Sequence, residues 1–288
     1  MMLRIAAACF VFSLVSTQNL FAANVDHVIV ISIDGGKPSV IQKSEMPTLK
    51  RLVADGGSTF SARTIFPSKT LPSHTSMLTG VTPKIHKIDW NNWNPLKGTV
   101  KVPTVYGLLK AQGYSTALFA TKTKFRQLKV KNSYDEFSLK AKDALESAKL
   151  ASAYFIAKKP NFLFIHLPDA DVAGHASGWG SSAQMKALKN VDAAIKIVED
   201  TVLKNTKDKK FAIIITADHG GSGINHGSAS DEDTVIPWIT WGNVVKKNYN
   251  ITDAVSTMDT TATVLWLFDV KGPQNMQGIA QKNSFLVN

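Results

Sequence analysis

The chain has 288 residues, 44% of them hydrophobic and 19% charged, and 33 lysines and arginines against 22 acidic residues give a net charge of +11. Enough apolar surface is present for a core, which excludes a disordered chain, and no apolar run approaches the roughly 20 residues that span a bilayer. The single cysteine, Cys9, excludes an intramolecular disulfide and a thiolate zinc site.

In chain order, residues 1–23 have the shape of a secretory signal. Arg4 precedes the apolar stretch Ile5 to Val15, and Ala22-Ala23 offers small residues for cleavage. The expectation is an exported protein, periplasmic or secreted, with residues 24–288 forming a single catalytic domain. Val25 to Ile33, Ser115 to Ala120, Asn161 to Leu167 and Phe211 to Ala217 read as buried strands. Between them, Pro47 to Ala54, Pro103 to Gln112, Ala183 to Lys204 and Thr257 to Phe268 have helical spacing. The third of these is the clearest, with Met185, Leu188, Val191, Ile195, Val198 and Val202 recurring at three- and four-residue steps. Strands alternating with helices predict an α/β fold, with a mostly parallel central sheet and helices on both faces.

Basic residues cluster at Lys122, Lys124, Arg126, Lys129 and Lys131. No specific nucleic-acid motif accompanies them, so they read first as solvated faces with a general attraction for anions.

The chemistry-bearing residues sit just beyond the apolar runs. The first run ends at Asp34, the third leads to Asp171 and His175, and the fourth ends at Asp218-His219 with His226 following. In open α/β sheets the carboxyl ends of parallel strands share one crevice. Each group alone reads equally well as a cap or turn residue, but three strands delivering Asp and His to one rim point to metal ligation. Asp171, His175 and His226 make a two-nitrogen, one-oxygen set suited to zinc with an open position, and Asp34, Asp218 and His219 make a second set. Two divalent metal ions about 4 Å apart can hold both oxygens of a phosphoryl displacement. The hydroxyl-rich segment Phe66 to Gly80 would supply a nucleophile, with Ser68, Thr70, Ser73 and Thr75 indistinguishable by composition.

These pieces resemble the alkaline phosphatase superfamily, and most closely its type I phosphodiesterase/nucleotide pyrophosphatase branch. The resemblance is carried by Ile31-Ser32-Ile33-Asp34-Gly35, Phe66-Pro67-Ser68-Lys69-Thr70-Leu71-Pro72-Ser73-His74, Asp171-Val172-Ala173-Gly174-His175, Thr216-Ala217-Asp218-His219-Gly220 and Asn225-His226-Gly227. Ile236-Pro237-Trp238 looks like the strand that follows the last histidine. The resemblance implies an alkaline-phosphatase-like three-layer sandwich and a nucleophilic Thr70 that is transiently phosphorylated. It also implies one zinc held by Asp34, Thr70, Asp218 and His219, and another held by Asp171, His175 and His226. Asn91, or its neighbour Asn92, falls where relatives place an asparagine on a phosphoryl oxygen, while His74 takes a structural role. A sulfatase is disfavoured, because Thr70 cannot yield formylglycine and no arginine follows it in the required register. The implied substrate is a small phosphorylated molecule, a diester before a monoester, with Lys69, Asn91 and Trp179 as substrate-binding candidates. Trp90 and Trp93 are further aromatic candidates for stacking on a leaving group. A non-hydrolytic metal-dependent binder of phosphorylated ligands is the alternative from another functional class.

Overall fold

The computed structural model describes residues 23–287. The expected signal segment, with Cys9, lies almost wholly outside the described residues. Eight strands form one sheet: β1 (His27–Ile33), β2 (Gly57–Arg63), β3 (Thr116–Phe119), β4 (Glu136–Ser138), β5 (Phe162–Leu167), β6 (Phe211–Ala217), β7 (Val235–Trp241) and β8 (Tyr249–Asn250). Their order is β4-β3-β5-β1-β6-β7-β2-β8. β4, β3, β5, β1 and β6 run parallel, and β7 pairs antiparallel with both β6 and β2.

Ten helices accompany the sheet in the described residues. They are α1 (Pro38–Lys43), α2 (Pro47–Asp55), α3 (Thr70–Thr79), α4 (Pro83–His86), α5 (Val105–Ala111), α6 (Ala144–Lys158), α7 (Asp169–Ser177), α8 (Ser182–Asn205), α9 (Asp231–Thr234) and α10 (Asp259–Leu267). The four strands and four helices read from the sequence are all present, with ends shifted by one or two residues. β2 and α6 are additions: Gly57–Arg63 is polar and α6 is alanine- and serine-rich, so neither carries a strong apolar period.

Side-chain alternation along the strands builds two cores. Val28 and Val30 of β1, Phe162 and Phe164 of β5 and Ile214 of β6 face a layer containing Leu71, Met77, Leu109 and Val264. Ile29, Ile31 and Ile33, with Leu163, Ile165, Ile213 and Ile215, face the other layer, where α2, α6 and α8 supply Leu49, Phe155, Leu188, Ile195 and Val202. The result is the expected three-layer sandwich. Asp192 of α8 fixes α2: its carboxylate accepts from the N–H groups of Thr48 at 3.1 Å and Leu49 at 2.8 Å, capping a helix whose own N-cap, Met46, has no capping side chain.

One buried histidine ties helix α3 to the loop beyond α4. His86 Nδ1 accepts the Ile88 N–H at 3.0 Å, so Nε2 carries the proton and meets Ser76 Oγ at 3.0 Å. Burial pushes this imidazole down from the usual histidine range to about 4. Because the folded value is depressed, its contribution is complete above about pH 6.5 and is lost as pH falls toward 4, a change on the order of 3 kcal/mol at most. Metal-free protein should therefore show a falling denaturant midpoint over that window, and His86→Gln should make the fall shallower. An unchanged slope in the variant would contradict this assignment.

Candidate metal centre and active site

The parallel neighbours β5, β1 and β6 end side by side, with Ile33 in register with Leu167 and Ala217. Asp34 and Asp218 follow immediately on two of these ends. Asp171 and His175 are four residues apart on α7, which places them on one helix face. Asp34, Asp218 and His219 form one cluster and Asp171, His175 and His226 another, with the donor atoms of each within 4.8 Å of one another. The two clusters adjoin, since His219 Nε2 lies 4.0 Å from Asp171 Oδ1.

Several features fit these clusters to metal ions. Within them, His219 Nε2 lies 3.3 Å from Asp218 Oδ2 and 3.4 Å from Asp34 Oδ1. His175 and His226 Nε2 lie 3.4 and 3.6 Å from Asp171 Oδ1. A tetrahedron with bonds of about 2.0–2.1 Å has edges of about 3.4 Å. Each histidine directs Nδ1 to a main-chain carbonyl, His175 to Ile224 at 2.8 Å, His219 to Gly220 at 2.8 Å and His226 to Ser68 at 2.9 Å. This fixes the tautomer and leaves Nε2 free to ligate. Asp34 Oδ1, Asp171 Oδ1, Asp218 Oδ2 and His219 Nε2 are buried without a hydrogen-bond partner among the described residues. Four orphaned donor atoms converging on one place are what a bound cation would satisfy.

Electrostatics agree. Burial drives His219 well below the usual histidine range, assisted by His226, and burial lowers His226 as well, so both rings are neutral and have lone pairs to give. Burial and the neighbouring Asp34 carboxylate hold Asp218 well above the usual carboxylate range. Burial pushes Asp34 in the same direction, but Lys122 and His166 outweigh it and hold this carboxyl low.

Helix α3 opens at Thr70, and its first turn abuts the Asp34 cluster. His74 Nδ1 lies 2.7 Å from the Thr70 carbonyl and 3.4 Å from Asp218 Oδ2, while His74 Nε2 meets Ser32 Oγ at 2.8 Å. Burial pushes His74 down to about 3, so this ring is a neutral structural link. The four hydroxyls that composition left open now separate. Ser68 Oγ donates to Ser228 O at 2.6 Å, Ser73 Oγ to Asp218 O at 2.7 Å, and Thr75 Oγ1 to Leu71 O at 2.7 Å. Thr70 Oγ1 is buried and has no partner among the described residues. Asn91 Oδ1 accepts the Leu71 N–H at 2.9 Å, which puts this amide against the same turn; Asn92 is exposed.

The residue model for type I phosphodiesterase/nucleotide pyrophosphatase matches residues 28–259. The chain belongs to that family. It is 25% identical over 217 residues to ectonucleotide pyrophosphatase/phosphodiesterase family member 1 of Rattus norvegicus, covering 67% of this chain and 24% of the relative. Against venom phosphodiesterase 1 of Crotalus adamanteus it is 24% identical over 220 residues, covering 67% of this chain and 25% of that protein. The chain thus spans about a quarter of the length of these curated relatives. Murine ectonucleotide pyrophosphatase/phosphodiesterase 5, solved in an inactive form with AMP, superposes with a TM-score of 0.73 at 15% identity, covering 88% of this chain and 97% of that one. A sulfatase-like protein from Bacteroides thetaiotaomicron superposes with a TM-score of 0.74 at 15% identity over 89% of this chain and 73% of that one. These structures share the fold of this chain.

Two site residues escaped the sequence reading. Lys122, from the loop after β3, lies 2.6 Å from Asp34 Oδ2 and 2.5 Å from Asp171 Oδ2, and so braces one carboxylate of each cluster while their Oδ1 atoms stay free. Burial opposes its charge, but the two carboxylates prevail and raise it above the usual lysine range. His166 of β5 holds Asp34 Oδ2 at 2.7 Å from below. Lys122 was hidden within a basic run that reads as surface, and His166 within an apolar strand.

The aromatic candidates fare differently. Trp90 packs at the margin of a core with Lys97 over its ring, and Trp93 lines a surface groove of about 420 Å³ with Arg126 and Phe137. Lys69 lies alongside Gly227, where a Cβ would meet its chain at 2.7 Å. Trp179 is partly buried and packs against Gly174 and Gly221, where an added Cβ would meet its indole.

Since only the folded state gathers these donors, divalent metal should raise the melting temperature and chelation lower it. Metal at a thousand times its dissociation constant is worth about 4 kcal/mol. Thermal unfolding with zinc and with excess EDTA measures this; coincident curves would contradict a metal centre here.

Proposed function

We infer that this chain is an exported two-metal hydrolase of phosphate esters, most consistent with a phosphodiesterase or nucleotide pyrophosphatase, with residues 24–288 as one catalytic domain. The observation carrying this reading is the pair of adjoining donor clusters with four orphaned donor atoms, together with a Thr70 hydroxyl buried without a partner among the described residues, within a chain of this family. Zinc ions are the proposed occupants; when bound they supply Lewis-acid charge that polarises phosphoryl oxygens and lowers the pKa of a coordinated hydroxyl or water.

The chain's own residues perform the rest. Thr70, presented at the N-terminus of α3, attacks phosphorus as the leaving ester oxygen departs, giving a phosphothreonine that water then cleaves. The helix terminus favours the anionic phosphoryl group placed against it. Asn91 uses its acceptor oxygen on Leu71 N–H, so its NH₂ faces a phosphoryl oxygen as a donor. Asp34 and Asp171 keep their outer oxygens fixed by Lys122, which spares the reorganisation that loose carboxylates would require.

A specific observation favours phosphomonoesters as the second reading. Lys124, two residues after Lys122, is partly buried; burial followed by Lys122 lowers it from the usual lysine range, while Asp34, Asp171 and Asp218 attract its charge. A second ammonium beside the centre complements a dianion better than a diester. The diester reading draws on the family match, and the groove lined by Trp93, Arg126 and Phe137, two residues from Asn91 and from Lys124 in sequence, is its candidate for a second ester group.

Three measurements test this. Thr70→Ala should lose at least about 1,000-fold in kcat while retaining its metal, and acid quenching of the wild-type enzyme should trap phosphate on Thr70. Near-normal turnover in Thr70→Ala would refute the nucleophile. In a substrate pair of bis-(p-nitrophenyl) phosphate and its monoester, the diester should be preferred. A monoester preference that Lys124→Ala selectively removes would reverse that assignment.

A further inference from the structure

All six carboxylate and imidazole candidates come from three segments: the turn after β1, helix α7, and the stretch from Asp218 to His226. Trp179 touches all three. Its Nε1–H donates to the Gly35 carbonyl at 3.0 Å, next to Asp34. A Cβ built on Gly174, beside His175, would meet Cδ2, Cε2 and Cε3 of the indole at 2.8–2.9 Å. One built on Gly221, two residues beyond His219, would meet Cε2, Cδ2 and Cζ2 at 2.3–2.7 Å. Both positions sit over the same ring-fusion bond. Two main-chain segments thus approach the indole at that bond so closely that neither has room for a side chain. The Trp179 N–H also donates to Gly223 O at 2.8 Å. The ring is close to His175, with centroids 5.3 Å apart and planes at 85°, and to His226 at 5.8 Å and 61°.

We propose that Trp179 is a positioning residue: its indole is a wedge that sets the spacing of the three ligand-bearing segments, rather than a stacking surface for the substrate. The glycines follow from this role, since at Gly174 and Gly221 any side chain would take the indole's place. Gly35 meets a further demand, a positive φ of 70° in a turn whose Cβ would sit 3.0 Å from Asp171 Cα and 3.1 Å from Trp179 Cζ2. The wedge acts only through the ligands, so the proposal rests on the metal-centre reading above.

The test is zinc affinity by competition with a chromophoric chelator, on wild type, Trp179→Ala, Trp179→Phe, Gly221→Ala and the Trp179→Ala/Gly221→Ala double variant. Far-UV circular dichroism confirms folding. Trp179→Ala should weaken zinc binding roughly 10–100-fold, as loss of an outer support for metal ligands does. Trp179→Phe, which keeps ring bulk and loses the Gly35 hydrogen bond, should fall between it and wild type. Gly221→Ala should weaken binding alone, yet add nothing once the indole is gone. Excess zinc should restore most of the Trp179→Ala kcat, with KM changing equally for aryl and alkyl leaving groups. Unchanged zinc affinity with KM raised only for aryl leaving groups would overturn the proposal and make Trp179 a stacking surface. If Trp179→Ala does not fold, Trp179→Phe and Gly221→Ala carry the same comparison. Wild-type protein that binds no zinc would instead sink the metal-centre reading itself, a result distinct from variants that bind like wild type.

Discussion

Three carboxylates gathered at adjoining strand ends are the constraint on which the rest of this structure depends. Asp34, Asp171 and Asp218 are all buried, and like charges brought this close in a medium of low polarisability repel strongly. The chain answers in part. Lys122 places one ammonium between Asp34 and Asp171, and the N–H groups of Gly35 and His219 donate to Asp218 Oδ1 at 3.1 and 3.0 Å. What remains is expressed in Asp218, held toward its protonated form by burial and by Asp34. A divalent cation resolves the same problem without the proton. Such a site is costly to fold with its charges uncompensated, and a bound cation would make metal affinity part of folding stability.

The sheet makes such a concentration of charge tolerable. β5, β1 and β6 are fully buried along their length, so their backbones are fixed by ladders on both sides and their ends cannot spread apart. The strand interiors also reach up into the site. Ser32 of β1 and His166 of β5 face each other in register, and they hold His74 and Asp34 respectively. Polar groups within otherwise apolar strands are expensive unless satisfied. Here each is satisfied by a residue of the active centre, which ties the core to the chemistry above it.

How much of this is visible in the sequence depends on how local the signal is. Mostly apolar runs of six or seven residues announce β1, β5 and β6, and an acid or imidazole shortly past each run announces the rim, because both features follow from chain-local patterning. Gly57–Arg63 is mostly small and polar, and its strand character arises from pairing with β7 and β8. Lys122 looks like any lysine in a basic run until the topology sets β3 beside β5 and brings its loop over Asp171. The packing of Trp179 is equally invisible, since its glycines lie at 35, 174 and 221 and only the folded chain assembles them.

The same logic explains why one hydroxyl in a crowded segment stands apart. The first two turns of α3 are anchored from several directions: Leu71 to Asn91, Ser73 to Thr64 and Asp218, His74 to Ser32 and the Thr70 carbonyl, and Ser76 to His86. Each bond consumes a polar group and removes a freedom from the helix start. Thr70 alone keeps an oxygen without a partner, on a turn that can no longer adjust to supply one. A flexible segment would satisfy that oxygen internally, at little cost, by rotating its chain. Rigidity is thus what keeps the Thr70 hydroxyl available, since the surrounding hydrogen bonds fix the turn and leave this one oxygen without a partner among the described residues.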